Sequence, residues 1–364
     1  MIKVIRLFTG AVYIFSGLVK AIDPVGLAYK MEEFFEAWSS SGIFPPLMNF
    51  LHGHSLSFSV ILISVEVLLG VALLLNWRMR FTTVALLLLT SFFTALTAYV
   101  LFSGKIKECG CFGNCIPLTP IQTFVKDLIL LLFSILLLIH YSKNVYRTTR
   151  FSHVVIPMSV LFVVGLQFYA LYYLPPADCL PFKKGNNIAE LRKLPADAVP
   201  DKYDYTFVYE KDGTKKDFSV SQLPDSTWKF VERKQVLIQK GKNNIPLIND
   251  FSFTDSLGVD KTSEILSGNE EYYLLYIRSI EECERWLRKM NFDNASQRKV
   301  YVVTSQALKA RELLSRLKIP YTAIFTTDFT AIKTASRTDP SVMKMRGPVI
   351  IDKWGKASLH KIRF

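Results

Sequence analysis

The chain has 364 residues, half of them hydrophobic, and a formal charge of +13. Its mean hydropathy is positive, too apolar for an ordinary soluble protein. The basic excess comes without a nucleic-acid motif, which argues against a nucleic-acid partner, and the absence of a G-x-G-x-x-G or Walker-type element argues against a nucleotide enzyme.

The apolar residues crowd into the first half, and the composition shifts near Leu174–Lys184. Five stretches have the roughly 20 mostly apolar residues that a membrane helix needs: Val4–Ile22, Leu56–Leu75, Phe81–Phe102, Ile121–His140 and Val154–Tyr173. The first lacks a small-residue cleavage site and reads as a retained helix. Ala28–Trp38, "AYKMEEFFEAW", is amphipathic but too short and polar to span; it reads either as an interfacial helix or as a loop helix packed on the bundle. Lys3 and Arg6 precede the first span, Arg78 and Arg80 separate the second and third, and Lys143, Arg147 and Arg150 separate the fourth and fifth. The positive-inside rule puts these loops in the cytoplasm of a bacterial inner membrane. The cysteine-bearing loop and the C-terminal half are then extracytoplasmic.

Charges inside the spans are costly and by default functional. Glu66 lies mid-span in "ISVEVLLGVALLL", Lys126 and Asp127 lie about two turns into the fourth span, and Lys20 ends the first. They read as a buried network under the cysteine loop, or as a polar core that fixes helix packing.

That loop, "KECGCFGNC", carries Cys109, Cys111 and Cys115, three of the chain's five cysteines. On the oxidising side of a membrane such thiols form disulfides. A Cys-x-Cys ring is small and strained, hence oxidising. Cys115 suits a resolving thiol, and Lys105 and Lys107 would favour a thiolate. Three readings stay open: a redox-active set, a structural staple, or a metal site completed by His52 or His54. Cys179 in "PPADCLPFKKG" is a further partner for a loop cysteine or an incidental linker residue.

"RLFTGAVYIFSGLVKAIDP", the Glu in "VEVLLGVALLL", and "CGCFG" followed by "TPIQTFVKDLILLL" resemble the DoxX-like membrane families, in particular the MauE (methylamine utilisation) branch, over about residues 1–140. The resemblance implies a four-helix bundle that assists disulfide formation or redox maturation of an exported partner, with the paired cysteines at Cys109 and Cys111. The whole layout is similar to five-span DoxX proteins of Bacteroidetes with an extracytoplasmic tail. By analogy with other membrane oxidoreductases of disulfides, electrons would pass to a quinone near Glu66, Lys126 and Asp127.

Past the spans, "YTFVYEKDGTKKDFSV" turns at Asp212–Gly213 as a hairpin, and "WKFVERKQVLIQ" adds a strand. From Ile245 the pattern alternates: strand "EYYLLYI", helix "IEECERWLRKM", strand "RKVYVVTS", helix "ALKARELLSRLK", strand "YTAIFT", then a hairpin of "SVMKM" and "VIIDKW". Such alternation makes an α/β layer domain. Its order resembles a thioredoxin-like fold, in which Pro340 falls at the cis-proline position. The C-x-x-C of that family is absent: Cys283 stands alone and reads as a buried core residue. The expected organisation is a four-helix membrane domain over 1–142, a loop and fifth span over 143–176, a β-rich collar over 177–244 and a thioredoxin-like domain over 245–364. Two functions follow from it: a membrane-embedded thiol–disulfide helper acting on an exported or envelope partner, or a non-catalytic membrane scaffold.

Overall fold

The computed structural model describes residues 1–106, 113, 115–116, 118–143, 148, 150–239, 241–249, 251–290 and 298–362. Cys109, Cys111 and Lys107 lie outside the described residues.

Among the described residues five helices are long and apolar enough to cross a membrane: α1 (Ile2–Ile22), α4 (Ser55–Leu74), α5 (Met79–Ser103), α6 (Pro120–Ser142) and α7 (Ser152–Tyr173). Many of their large apolar side chains face outward, among them Phe81, Leu88, Leu132 and Leu161, as expected of surfaces that contact lipid rather than water. The chain is thus a multi-pass membrane protein followed by a C-terminal domain with sheets. Arg6, counted above among the residues preceding the first span, lies inside α1 and is buried.

Small residues set the closest helix approach. A Cβ on Gly70 would sit 2.8 Å from the Gly10 carbonyl oxygen and 2.9 Å from the Ile14 nitrogen, and one on Gly17 would meet the Val67 side chain at 2.5 Å. Glycine is required where backbones come this close, the usual route to tight packing among helices that gain nothing from hiding apolar surface from lipid. Helix α5 turns a threonine stripe inward, with Thr83, Thr90, Thr94 and Thr97 each donating to a carbonyl of the preceding turn. Helix α6 opens with Thr119 and Gln122 in a reciprocal capping box and Pro120 in its first turn.

Two helices fill the loop between the first two spans: α2 (Pro24–Ser40) and α3 (Pro45–Gly53). On α2, Met31, Phe34 and Phe35 are buried in the bundle core with Leu62 and Ile63 of α4. Of the two readings of Ala28–Trp38, this is packing on the bundle.

After α7, Leu180, Phe182 and Ile188 are buried, the last at the start of the one-turn helix α8 (Ile188–Leu191). A hairpin sheet follows, in the order β2 (Thr214–Ser219), β1 (Lys202–Lys211), β3 (Lys229–Gln239), turning at Asp212–Gly213. After α9 (Thr262–Ser267) comes a five-stranded sheet built from β4 (Glu271–Ile277), α10 (Ile280–Leu287), β5 (Lys299–Thr304), α11 (Ala307–Leu317), β6 (Ala323–Thr326), α12 (Phe329–Ala335), β7 (Ser341–Arg346) and β8 (Val349–Trp354), and closed by a 3-10 turn, Lys356–Lys361. The order is β6-β5-β4-β7-β8. Strands β4, β5 and β6 run parallel, and β7 and β8 complete the sheet antiparallel. Every residue of β4 after Glu271 is buried, because β4 is central and covered on both faces. The Asp339–Pro340 peptide is cis.

Candidate functional site

Three sites carry the chemistry singled out in the sequence. The first lies inside the bundle. Lys20 at the end of α1 reaches both carboxylate oxygens of Glu66 at 2.7 Å, donates to Ser16 Oγ at 3.0 Å, and lies 4.6 Å from the Phe93 ring centre. Both charged side chains are almost fully buried, at 2 and 4 % exposure. Beside them Lys126 pairs with Asp127 at 2.8 Å. The four charges line one cavity of about 20 Å³, together with Tyr13 and Thr90. The Tyr13 hydroxyl bonds that of Thr90, which stands 3.1 Å from Ser134 Oγ. The structure therefore brings Glu66, Lys126, Asp127 and Lys20 together, as the sequence suggested, and adds Ser16 and a hydroxyl chain. A cavity this small, lined by polar groups, has room for about one water; a quinone ring does not fit it.

The second site is at the cysteine-loop end of the bundle. Cys115 is joined to Cys179, so Cys115 is a disulfide partner here rather than a free resolving thiol, and Cys179 is no incidental residue. Cys115 belongs to the loop before α6, whereas Cys179 belongs to the segment packed on the C-terminal domain. There Asp178 holds Lys353 of β8 at 2.7 Å and its carboxylate accepts the Leu180 N–H. The bond thus links bundle and domain. Cys179 is exposed and borders a crevice of about 540 Å³ between α2 and α12, which Gly113, His52, Tyr29 and Arg337 also line. His54 stacks on Phe50 and bonds its carbonyl instead. Among the described residues no group of His, Cys, Asp and Glu has the arrangement of a metal site.

The third is Cys283 on α10. It is fully buried, and desolvation pushes its thiol up to about 12, far from the thiolate that exchange needs. It is the buried core residue that its isolation implied. The nearby Asp339 carboxylate accepts the backbone N–H groups of Arg278 and Ser279, yet burial still raises its pKa.

The sequence reading missed the partners that join the halves: Asp23, Tyr29 and Glu32 on the bundle, and Arg278, Lys333 and Arg337 on the domain. For all but Tyr29 the only signal was charge, and charge alone did not pair Glu32 with Lys333 or Asp23 with Arg337, some 300 positions apart.

The model of the family described as methylamine utilisation protein MauE matches residues 1–140, and that of a domain of unknown function, DUF8463, matches residues 203–240. Protein TlpB of Flavobacterium psychrophilum is 32% identical over 133 residues, which is 36% of this chain and 33% of TlpB. The match thus spans about a third of that curated relative. No solved structure matches the chain. The bundle of α1, α4, α5 and α6, with the buried Lys20–Glu66 pair at its centre, is therefore the part of this protein that is similar to the MauE family.

Proposed function

We propose that the protein is a membrane-embedded thiol–disulfide helper whose exchangeable bond is Cys115–Cys179 and whose client is an exported or envelope protein. The observation that carries this reading is the exposure of Cys179 on a crevice that a polypeptide segment can enter. A client thiolate attacks one sulfur, the other leaves as a thiolate, and a second client thiol resolves the mixed disulfide. Cys109 and Cys111 are proposed as the pair that reoxidises it. The cysteine loop, the crevice and the C-terminal domain are placed outside the cytoplasmic membrane, on the strength of the charge asymmetry of the loops and the presence of a disulfide.

We read the five-stranded domain as thioredoxin-like, from its strand order and the position of α10 after the central strand β4. With Cys283 alone, buried and protonated, it is a binding module rather than a second exchange site. Glu66, Lys126 and Asp127 are proposed to act on protons, since their cavity has room for about one water and is too small for a quinone ring.

The bond between bundle and domain also favours a second reading, a scaffold stapled by a structural disulfide. Alkylation mass spectrometry of the full chain across a glutathione series separates the two. Exchange chemistry gives a midpoint of about −120 to −230 mV, whereas a bond still closed below about −300 mV is a staple.

A further inference from the structure

The C-terminal domain meets the bundle at two places of different character. One is tight. Gly355 lies so close to the end of α7 that a Cβ would sit 2.9 Å from the Tyr173 carbonyl carbon and 3.1 Å from the Leu174 nitrogen. The Tyr172 ring meets Trp286 edge-on at 5.9 Å and has Lys356 4.5 Å from its centre. At this point Leu174 takes a φ of +90°, which side-chain-bearing residues rarely adopt.

The other is polar. Arg337 bonds Asp23 at 3.0 Å, Lys333 bonds Glu32 at 2.5 Å, and the Arg278 guanidinium donates to the Tyr29 hydroxyl. The Tyr29 ring lies 4.6 Å from Lys333 Nζ and 5.4 Å from the Arg337 guanidinium. Gly26 leaves room for this, since a Cβ there would sit 2.7 Å from Asp23 Oδ2. The crevice with Cys179 opens beside these pairs.

We propose that the C-terminal domain is a hinged lid over the disulfide crevice. Tyr172–Leu174 is the pivot, the Asp23, Tyr29 and Glu32 contacts are an ionic latch, and Cys115–Cys179 is a covalent clasp whose reduction frees the lid. Interfaces between domains permit relative motion unless they are large and apolar, and the latch consists of polar contacts: Arg337–Asp23 at 6 and 16 % exposure and Lys333–Glu32 at 22 and 19 %, partly buried pairs that salt screens only weakly. A protein dithiol supplies the reduction. It gives two electrons and ends as a disulfide, while Cys115 and Cys179 each take one electron and one proton to become thiols. The redox control rests on the exchange reading above; the hinge and latch do not.

The test is electron–electron distance measurement on the full chain in detergent, with spin labels on a keto amino acid placed at the exposed positions Phe44 and Leu308, so that no cysteine is added. The oxidised protein should show one closed distance. Cys179→Ser, which releases the clasp without any reductant, should add a second, longer population. Asp23→Asn with Glu32→Gln in that background should raise the longer population at least roughly tenfold, since two ion pairs of surface strength set the floor and these pairs are partly buried. Tyr29→Phe, which removes one hydroxyl, should raise it less, and 1 M salt, which screens partly buried pairs only weakly, should also raise it less than the charge variants. A single unchanged distance in every state makes the domain a fixed fusion and overturns the lid. A lid that opens in Cys179→Ser while the native bond stays closed below the potentials of exchange catalysts retires the exchange reading and the redox control, and leaves the hinge and latch.

Discussion

Replacing Lys20 by Met or Glu66 by Leu should destabilise the bundle strongly, and replacing both should not. Lys20 spends its donors on both Glu66 oxygens at 2.7 Å and on Ser16 at 3.0 Å, and the pair is almost fully buried. Either single change leaves the other buried charge without its partner, at about 3–5 kcal/mol. The double change removes the desolvation cost together with the attraction and puts side chains of similar length in their place. Such replacements are neutral or stabilising by about 1–4 kcal/mol. The cycle should therefore show a coupling of at least about 3 kcal/mol, read from equilibrium unfolding of the purified protein in mixed micelles. Singles that add up in the double variant would refute the ion pair as a coupled unit. The double variant also separates packing from function. If Glu66 only fixes α1 to α4, the exchange rate of Cys115–Cys179 survives in it; if the charge acts on protons, the variant is stable and slow.

Gly70→Ala should cost about 1–3 kcal/mol in the same assay, because its Cβ would meet backbone atoms of Gly10 and Ile14 under 3 Å away and force the helices apart; Gly165→Ala, with nothing within 4 Å, is the neutral control. Cys283 should resist N-ethylmaleimide at pH 8 in the folded protein and react once it is unfolded. Its pKa is raised from 9.0 to about 12. The unfolded chain therefore loses this proton near pH 9 while the folded chain keeps it, so the stability it contributes is full below pH 9 and is lost as pH rises toward 12. Cys283→Ala should flatten the alkaline slope of thermal unfolding, and an unaltered slope would leave it to the buried phenols of Tyr272 and Tyr276, whose pKa values are also raised by desolvation.

Much of the architecture was legible because it is written in local periodicity. Each apolar run became a helix within a few residues of its expected ends, and "EYYLLYI" is β4 itself. The Asp212–Gly213 hairpin likewise follows from turn chemistry, and the expected hairpin of "SVMKM" and "VIIDKW" forms with its turn at Gly347–Pro348. What failed to show was anything set by contact between distant segments. The glycines at 10, 17 and 70 look like ordinary small residues until the helices cross. Asp23, Glu32 and Lys30 lie in one short stretch of mixed charge, yet of the three only Lys30 forms a local ion pair, with Glu33. Glu66 announced itself, because a carboxylate in an apolar run has few innocent explanations, and so did Lys20 as a member of its network, but that the two pair directly across 46 residues did not show.

The two charged centres meet at one corner of the chain. Lys20 and Asp23 are three residues apart, about 4.5 Å along a helix, on either side of the turn between α1 and α2. Lys20 points into the bundle and is fixed by Glu66. Asp23 accepts the Gly26 N–H at the start of α2 and holds Arg337 of the C-terminal domain. The corner is anchored on its inner side by a buried ion pair and by the glycine-lined crossing of α1 and α4. On its outer side it is held by pairs that are less deeply buried, Arg337–Asp23 at 6 and 16 % exposure and Lys333–Glu32 at 22 and 19 %. When the two halves part, the weaker, wetter side gives first, so the domain moves and α2 stays with the bundle. Glu66→Leu reverses that ranking by loosening the corner from within. In the spin-label experiment it should broaden the closed distance without adding the longer population that Cys179→Ser creates. A charge buried in the membrane would then set how sharply a latch outside it closes.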